Sequence, residues 1–554
     1  MFRPAILDTI RNYSFRDFSK DALAGLIVGI VALPLAIAFA IASGVSPEKG
    51  IFTAVIAGFI ISLLGGSRVQ IGGPTGAFIV IVYGIVQQYG VDGLIIATFI
   101  AGAMLVIMGI AKLGVVIKFI PYPLIVGFTS GIAVIIFSSQ LKDLFGLSIT
   151  NLPADFIEKW KAYYFHFTSI NWYAFGIAAI TLVIILFWSK VTHKVPGSLV
   201  AILFTTAIVH IFHLPVETIG SRFGSIPSTI PAPVIPHLDL TTIRKLIQPA
   251  FTIALLGGIE SLLSAMVADG MTGGRHRSNT ELIAQGIANI FSAAFGGIPA
   301  TGAIARTATN IRNGGKTPVA GIIHAFTLLL IILFVSKYAA WIPMAALAGI
   351  LVMVAYNMSE WKNFIGVSKG SKSDIAVLLT TFILTVLVDL TVAIEIGFLL
   401  AVFLFMRKLI NSSSIKAFST NSDDERDPAF SKKYRVPDGV EVFEISGPLF
   451  FGAAYKFKDA LLQTGRSPKF LIIRMGNVPI IDASGIQAIK EVYHENKRRG
   501  TKLILSEVID GQVKDELKKA RLLFAIGKAN ITATFEDALT RCNQLAVSGL
   551  AEIN

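Results

Sequence analysis

Fourteen apolar segments follow one another along most of the chain, at residues 22–42, 50–64, 75–88, 93–111, 119–139, 172–189, 197–213, 249–268, 281–295, 302–311, 318–337, 341–356, 374–389 and 391–406. Most approach the roughly 20 residues that a helix needs to cross a hydrocarbon core. A buried core helix could explain one or two such runs, but not a dozen. Backbone polar groups in lipid must be satisfied within their own segment, so the runs predict an α-helical polytopic membrane protein. Composition agrees: 54% of the 554 residues are hydrophobic and only 15% are charged, against about 25% in soluble domains.

The net charge of +13 reads as lysine and arginine in cytoplasmic loops rather than as a nucleic-acid surface. With the N-terminus inside, alternation places Arg68, Lys112, Lys190, Lys194, Arg275, Arg277, Arg312, Lys316, Lys362, Lys369, Lys372, Arg407 and Lys408 on the cytoplasmic side. Residues 1–20 lack a signal-peptide pattern and read as a cytoplasmic segment. The long segments 141–168 and 214–247 fall outside, the second as a proline-rich surface loop. Within the first, residues 153–168 predict a short interfacial helix with Trp160, Tyr163 and Tyr164 at headgroup level. Cys542 is the only cysteine, which excludes an intrachain disulfide and a Cys-based metal site.

One phrase occurs twice. Gly72-Gly73-Pro74-Thr75-Gly76-Ala77 returns as Gly296-Gly297-Ile298-Pro299-Ala300-Thr301-Gly302-Ala303. Thr75-Gly76-Ala77 and Thr301-Gly302-Ala303 stand 226 residues apart (301 − 75), and so do Ala42-Ser43-Gly44 and Ala268-Asp269-Gly270 (268 − 42). The offset spans an odd number of segments, so the second half runs inverted relative to the first. Each copy opens a short apolar segment, where glycine and proline keep the backbone extended before a helix starts. Two helix N-termini then face each other near the midplane, the first running outward from about Thr75 and the second inward from about Gly302. Their positive ends favour an anion.

Two charges accompany the repeat. Arg306 lies one turn into the second short helix, where a guanidinium adds positive potential and is costly unless functional. Its bland alternative is to pair with Glu260 or a backbone carbonyl. Glu260 stands in Ala254-Leu255-Leu256-Gly257-Gly258-Ile259-Glu260-Ser261. A dehydrated carboxylate there could carry a coupling proton, or ligate sodium with Ser264 one turn on. Asp389 reads as an end-of-helix residue, and His324 as a satisfied core histidine. Asn313-Gly314-Gly315-Lys316-Thr317 ends like a phosphate-binding loop, but Asn310 occupies the first glycine position and no strand precedes it. It reads as a basic turn. No metal-ligand cluster and no nucleophile elbow stands out, so neither an enzyme nor a cofactor is expected beyond a coupling H+ or Na+.

Residues 411–435 read as a polar linker, and residues 436–554 as a small soluble α/β domain with strands at 440–445, 469–474, 502–506 and 531–534. Helices are expected at 453–464, 484–499, 511–520 and 535–546. Asp482 and Ser484 fall in the loop that opens the second of these. They serve either as a capped helix start or as a phosphorylation or partner site.

These motifs together resemble the sulfate-permease family of anion transporters, prokaryotic relatives of the animal prestin and pendrin family. The carriers are Gly73-Pro74-Thr75-Gly76, Gly257-Gly258-Ile259-Glu260-Ser261-Leu262, Asp269-Gly270-Met271-Thr272-Gly273, Pro299 through Thr307 and Gly314-Gly315-Lys316-Thr317. Asp482-Ala483-Ser484-Gly485 resembles the STAS domain of the same family. The resemblance implies fourteen spans as a seven-plus-seven inverted repeat. Spans 1–4 and 8–11 form a core, spans 5–7 and 12–14 a gate, and the core moves as an elevator. It implies a homodimer in the inner cell membrane with cytoplasmic STAS domains that could bind a protein partner. It places Phe39, Thr75, Gly76, Ala77, Phe78, Ala303, Ile304, Ala305 and Arg306 around a small inorganic or carboxylate anion, with Glu260 and Ser264 at the coupling-ion position. In the soluble relatives the serine matching Ser484 is the phosphorylated one. Pro34-Leu35-Ala36-Ile37-Ala38-Phe39 looks more like the bacterial bicarbonate-type members. Two alternatives stay open: a nucleobase permease of the same fold, and a membrane-anchored signalling protein acting through its STAS domain.

Overall fold

The computed structural model describes residues 2–10, 13–115, 120–150, 152–153, 155–191, 196–224, 227–229, 231–235, 239–388, 390–419, 434, 436–463, 468–508 and 510–551. Asp389 and the charged run 421–426 lie outside the described residues. The chain forms two compact units, Met1–Ala401 and Val402–Asn554.

The first unit is helical. It begins with α1 (Ile6–Thr9), α2 (Phe15–Ala42) and α3 (Pro47–Leu64), then a two-residue strand β1 (Gly72–Gly73) and a single 3-10 turn (Gly76–Phe78) that leads into α4 (Ile79–Ile110). There follow α5 (Tyr122–Phe145), α6 (Phe156–His166), α7 (Trp172–Val191), α8 (Gly197–Ile211), α9 (Ile219–Phe223), α10 (Leu240–Thr272) and α11 (Ser278–Ala294). A second two-residue strand, β2 (Thr301–Gly302), precedes α12 (Ile304–Arg312), α13 (Pro318–Ala339), α14 (Met344–Met358), α15 (Trp361–Ser368), α16 (Lys372–Leu387) and α17 (Leu390–Ser412).

Local chemistry sets several boundaries. Ser14 caps α2 by accepting from Asp17 N, and Asp239 caps α10 through Thr241 N and Thr242 N. Pro47 and Pro318 open α3 and α13, where a missing N–H costs nothing. Gly90, at φ +70°, interrupts α4 and separates the segments expected at 75–88 and 93–111. Each of the fourteen apolar segments overlaps a helix. Among the described residues eight helices are long and apolar enough to cross a membrane, and the pair α6–α7, bent by 114°, makes a ninth candidate. The expected count of fourteen therefore includes shorter helices such as α8, α11 and the nine-residue α12.

Helix packing sorts this unit into two groups. One contains α2, α3, α4, α10, α11, α12 and α13, the other α5, α7, α8, α14 and α16. Within the first, Gly102 and Gly286 let α4 and α11 meet backbone to backbone: a Cβ on Gly102 would stand 2.7 Å from the Gly286 carbonyl oxygen. One expectation needs correction here. The loop 214–247 contains α9 and already holds the first turns of α10. Of the aromatic residues expected in the segment 153–168, Tyr163 is buried and donates to the Ser138 carbonyl at 2.6 Å, while Tyr164 is exposed.

The second unit is a five-stranded sheet in the order β3 (Ser414–Ser419), β4 (Val440–Ser446), β5 (Phe470–Asn477), β6 (Lys502–Ser506), β7 (Ile531–Thr532). The β3–β4 pair is antiparallel and the others are parallel. Helices α18 (Phe451–Gln463), α19 (Ala483–Arg498), α20 (Gln512–Lys519), α21 (Leu522–Ile526) and α22 (Phe535–Ala551) complete it. Alternating residues bury both faces, with Phe443, Ile473 and Leu505 in one cluster and Val442, Ile472 and Ile504 in the other. Strand β3 corrects the linker expectation for 411–435. Its residues carry little hydrophobic alternation, and only pairing with β4 makes them a strand.

Candidate functional site

The two copies of the repeated phrase meet. Gly72 pairs with Gly302 and Gly73 with Thr301, antiparallel, and Ala303 N donates to the Ile71 carbonyl at 2.8 Å. Two extended segments, each intolerable alone at membrane depth, thus satisfy one another. Helices start from both. Thr75 and Ala303 hold the N-cap positions in extended conformation, and neither supplies a side-chain cap. The first N–H groups of both helices are left as donors at the positive ends of the helix dipoles.

Polar side chains from α10 and α11 clamp this ladder. Thr301 Oγ1 donates to the Gly257 carbonyl at 2.7 Å. Asn289 grips Ala300 from both sides, Nδ2 donating to its carbonyl and Oδ1 accepting from its N–H, each at 2.8 Å. Gln70 Nε2 donates to Ser261 Oγ at 3.0 Å. Beneath these lies Glu281, fully buried. Its Oε2 accepts from Gly66 N at 2.8 Å and Ser67 N at 3.1 Å. Its Oε1 accepts from Ser261 Oγ at 3.2 Å and Gln285 Nε2 at 2.8 Å. Sequence reasoning missed Glu281, Gln285 and Asn289. The available signal was a polar stripe at four-residue spacing, with Ser292 three residues further on, along an apolar segment.

Arg306 and Glu260 bind neighbouring residues of the first copy. Arg306, 4% exposed, donates from Nη2 to the Pro74 carbonyl. Its Nη1 has no partner among the described residues, and it lies 2.6 Å from where a Cβ on Gly73 would stand. Glu260, half-buried on α10, accepts from Thr75 Oγ1 at 2.9 Å. The guanidinium therefore takes a backbone carbonyl and the carboxylate takes the first helix start, instead of pairing with each other.

The other expected site residues divide. Gly76 packs between Phe39 of α2 and Met358 of α14, whose Cε1 and Sδ lie 3.6 and 3.0 Å from a Cβ built there. Ile304 and Ala305 form an exposed turn at the start of α12, while Ala77 and Ala303 are buried. Phe78 is buried too and packs toward Gly257 on α10. The Ser264 hydroxyl is 3.2 Å from that of Thr307, which accepts from Ile71 N at 3.0 Å. The structure thus gathers Phe39, Thr75, Gly76, Glu260 and Arg306 around the crossing and turns Phe78 and Ser264 into its packing.

His324 is buried, but the expectation that it is satisfied fails. Neither ring nitrogen has a partner among the described residues, because the ring faces small residues such as Gly58. The stretch Gly314–Thr317 holds a carboxylate, not a phosphate. Asp21, buried in α2, accepts from Lys316 N at 2.7 Å and Thr317 N at 3.2 Å. In the second unit Asp482, not Ser484, caps α19, accepting from Gly485 N at 2.8 Å. Ser484 is exposed in the first turn.

A helical bundle that pairs two broken segments in its interior, beside an arginine and a carboxylate, has the architecture of a multi-pass membrane transporter. Residues 18–381 match the sulfate permease family and residues 431–538 the STAS domain. The chain belongs to the sulfate permease family. YvdB of Bacillus subtilis, named as a candidate sulfate transporter, is 45% identical over 520 residues, covering 94% of this chain and 96% of the relative. The bicarbonate transporter BicA of a Picosynechococcus species is 31% identical over 550 residues, covering 95% and 94%. The SLC26A9 structure superimposes with a TM-score of 0.88 over 98% of this chain and 93% of that one, at 18% identity, a likeness of fold. The transmembrane domain of a cyanobacterial BicA gives a TM-score of 0.63 at 33% identity, covering 69% and 98%.

Proposed function

We propose that this protein is a secondary active transporter of a small anion, with bicarbonate, sulfate and dicarboxylates as the candidate cargoes. One observation carries the reading: two uncapped helix starts joined at the β1–β2 crossing, with the Arg306 guanidinium buried against it. Unpaired N–H donors, two positive dipole ends and one cation favour negative charge. The names of YvdB and BicA, sulfate and bicarbonate transporters, support the same cargo class.

Glu260 is the coupling residue in this reading. Its carboxylate accepts from Thr75 at the mouth of the first helix, so a proton or a sodium ion arriving on it changes the donor set that meets the anion. That links cargo and cation without any further element. The two packing groups of helices act as core and gate, and the core carries the crossing from one face to the other as an elevator. The N-terminus and STAS domain are on the cytoplasmic side.

Proteoliposomes loaded with buffer and offered labelled bicarbonate, sulfate, succinate and chloride at two pH values test the cargo. Arg306→Ala is expected to abolish uptake; full activity in that variant would sink the site assignment. Glu260→Gln is expected to abolish gradient-driven uptake while keeping some exchange. Unchanged pH and sodium dependence in it would remove Glu260 from the coupling role.

A further inference from the structure

A cavity of about 370 Å³ lies between the two packing groups, lined by α4 and Pro249 of α10 on one side and by α5, α6, α16 and the start of α17 on the other. Along α4 it extends from Ile79, one residue past the 3-10 turn at the crossing, to Gln88. That is about 14 Å of helix. In the proposed orientation this direction is outward.

Lys159 of α6 lines this cavity and is 2% exposed. It forms no hydrogen bond and no ion pair among the described residues; its ammonium stands 5.8 Å from the Tyr83 ring centre. The other charged group on the lining is Asp155, whose Oδ1 is occupied in capping α6 at Glu158 N, 2.9 Å. The ring face and the charge of Asp155 are electrostatic neighbours of this ammonium, but a buried ammonium with no hydrogen-bond acceptor of its own is costly. The position is also rigid. Trp160 Nε1 donates to Ser138 Oγ at 3.2 Å, Tyr163 to the Ser138 carbonyl at 2.6 Å, and Tyr83 to the Leu152 carbonyl at 3.2 Å. Three bonds thus hold α6 and its lead-in over the cavity, with the lysine beneath.

We propose that this cavity is an outer capture site for the small anion, with the Lys159 ammonium as its cationic ligand and the Gln88 amide as a donor at its rim. The inference rests on the transport reading for its cargo and its sidedness. Asp155 on the same lining lowers the net charge, so the site holds an anion weakly enough to pass it inward, as conduction through successive sites requires.

Two measurements separate this site from the transport reading. In proteoliposomes, Lys159→Met is expected to raise the half-saturating anion concentration about tenfold for anion added outside, the worth of one charge-assisted hydrogen bond. It should leave the inside value and the maximal rate near wild type, and Lys159→Arg should restore affinity. An equal change on both faces, or none, overturns the proposal. The second needs no transport. In a full-length Cys542→Ala background, Gln88→Cys is labelled with a membrane-impermeant maleimide added outside, with sodium bicarbonate or sodium sulfate present. The anion should slow labelling when Lys159 is present and not in Lys159→Met. Protection that survives Lys159→Met, or no protection in either, overturns the capture site even if uptake is normal. Protection together with absent uptake leaves the site standing and sinks the transport reading. Labelling only from the inside overturns both the outward sidedness and the proposal.

Discussion

Gly73 offers a sharp test of how Arg306 is held. Its φ is +146°, a conformation that L side chains rarely adopt, and forcing one there costs about 1–3 kcal/mol. A Cβ would also stand 2.6 Å from Arg306 Nη1 and 3.4 Å from Cζ. The guanidinium is the group that can yield, since the other neighbour is the Ala54 backbone at 3.5 Å. Yielding breaks the bond from Nη2 to the Pro74 carbonyl, and a hydrogen bond from a charged group contributes about 1.5–3 kcal/mol. Gly73→Ala is therefore expected to lower anion affinity about 10- to 100-fold while the protein still assembles. The assay is the half-saturating anion concentration in proteoliposomes, with the size-exclusion profile as a folding check. Gly176→Ala, where a Cβ meets nothing within 4 Å, serves as the silent control. Wild-type affinity in Gly73→Ala, with normal protein yield, would refute the idea that the guanidinium is positioned by contact with that glycine.

Two more outcomes follow from the polar framework. Glu281→Ala strands four buried donors and is expected to cost at least about 3 kcal/mol, seen as a lower thermal unfolding midpoint and lost uptake. Glu281→Gln, which keeps an acceptor for Gly66 and Ser67, should fall between; stability equal to wild type in the alanine variant would remove the framework role. In the STAS domain, Asp482→Ala removes the cap of α19, worth about 1 kcal/mol. Amide exchange over residues 483–486 should rise about fivefold, and Ser484→Ala should leave it unchanged.

The apolar segments were legible because lipid admits so few backbone solutions; all fourteen overlap helices, although α4 joins two of them through Gly90. The phrase around Thr75 and Thr301 marked both helix starts, and Arg306 and Glu260 stood out because charge is rare inside the membrane. What each charge touches was not legible. Pairing between Glu260 and Arg306 was a reasonable alternative, yet the tertiary path delivers Pro74 to one and Thr75 to the other. Glu281 read as the first residue of a span, and its burial depends on the loop 65–67 folding over it. Strand β3 was hidden for a similar reason, since its six residues become a strand through a partner more than twenty positions away.

By itself the sequence determined the membrane class, the repeat, the soluble C-terminal domain and the short list of charged residues, because hydropathy and glycine-proline chemistry act locally. Only the tertiary structure decided that the two repeats hydrogen-bond to each other, that Arg306 rests on Gly73, and that Lys159 is buried beside a cavity with no hydrogen bond or ion pair among the described residues. Those facts join residues far apart in the chain. They follow from which backbone donors and acceptors remain unmatched once the helices have packed, a quantity no local pattern contains.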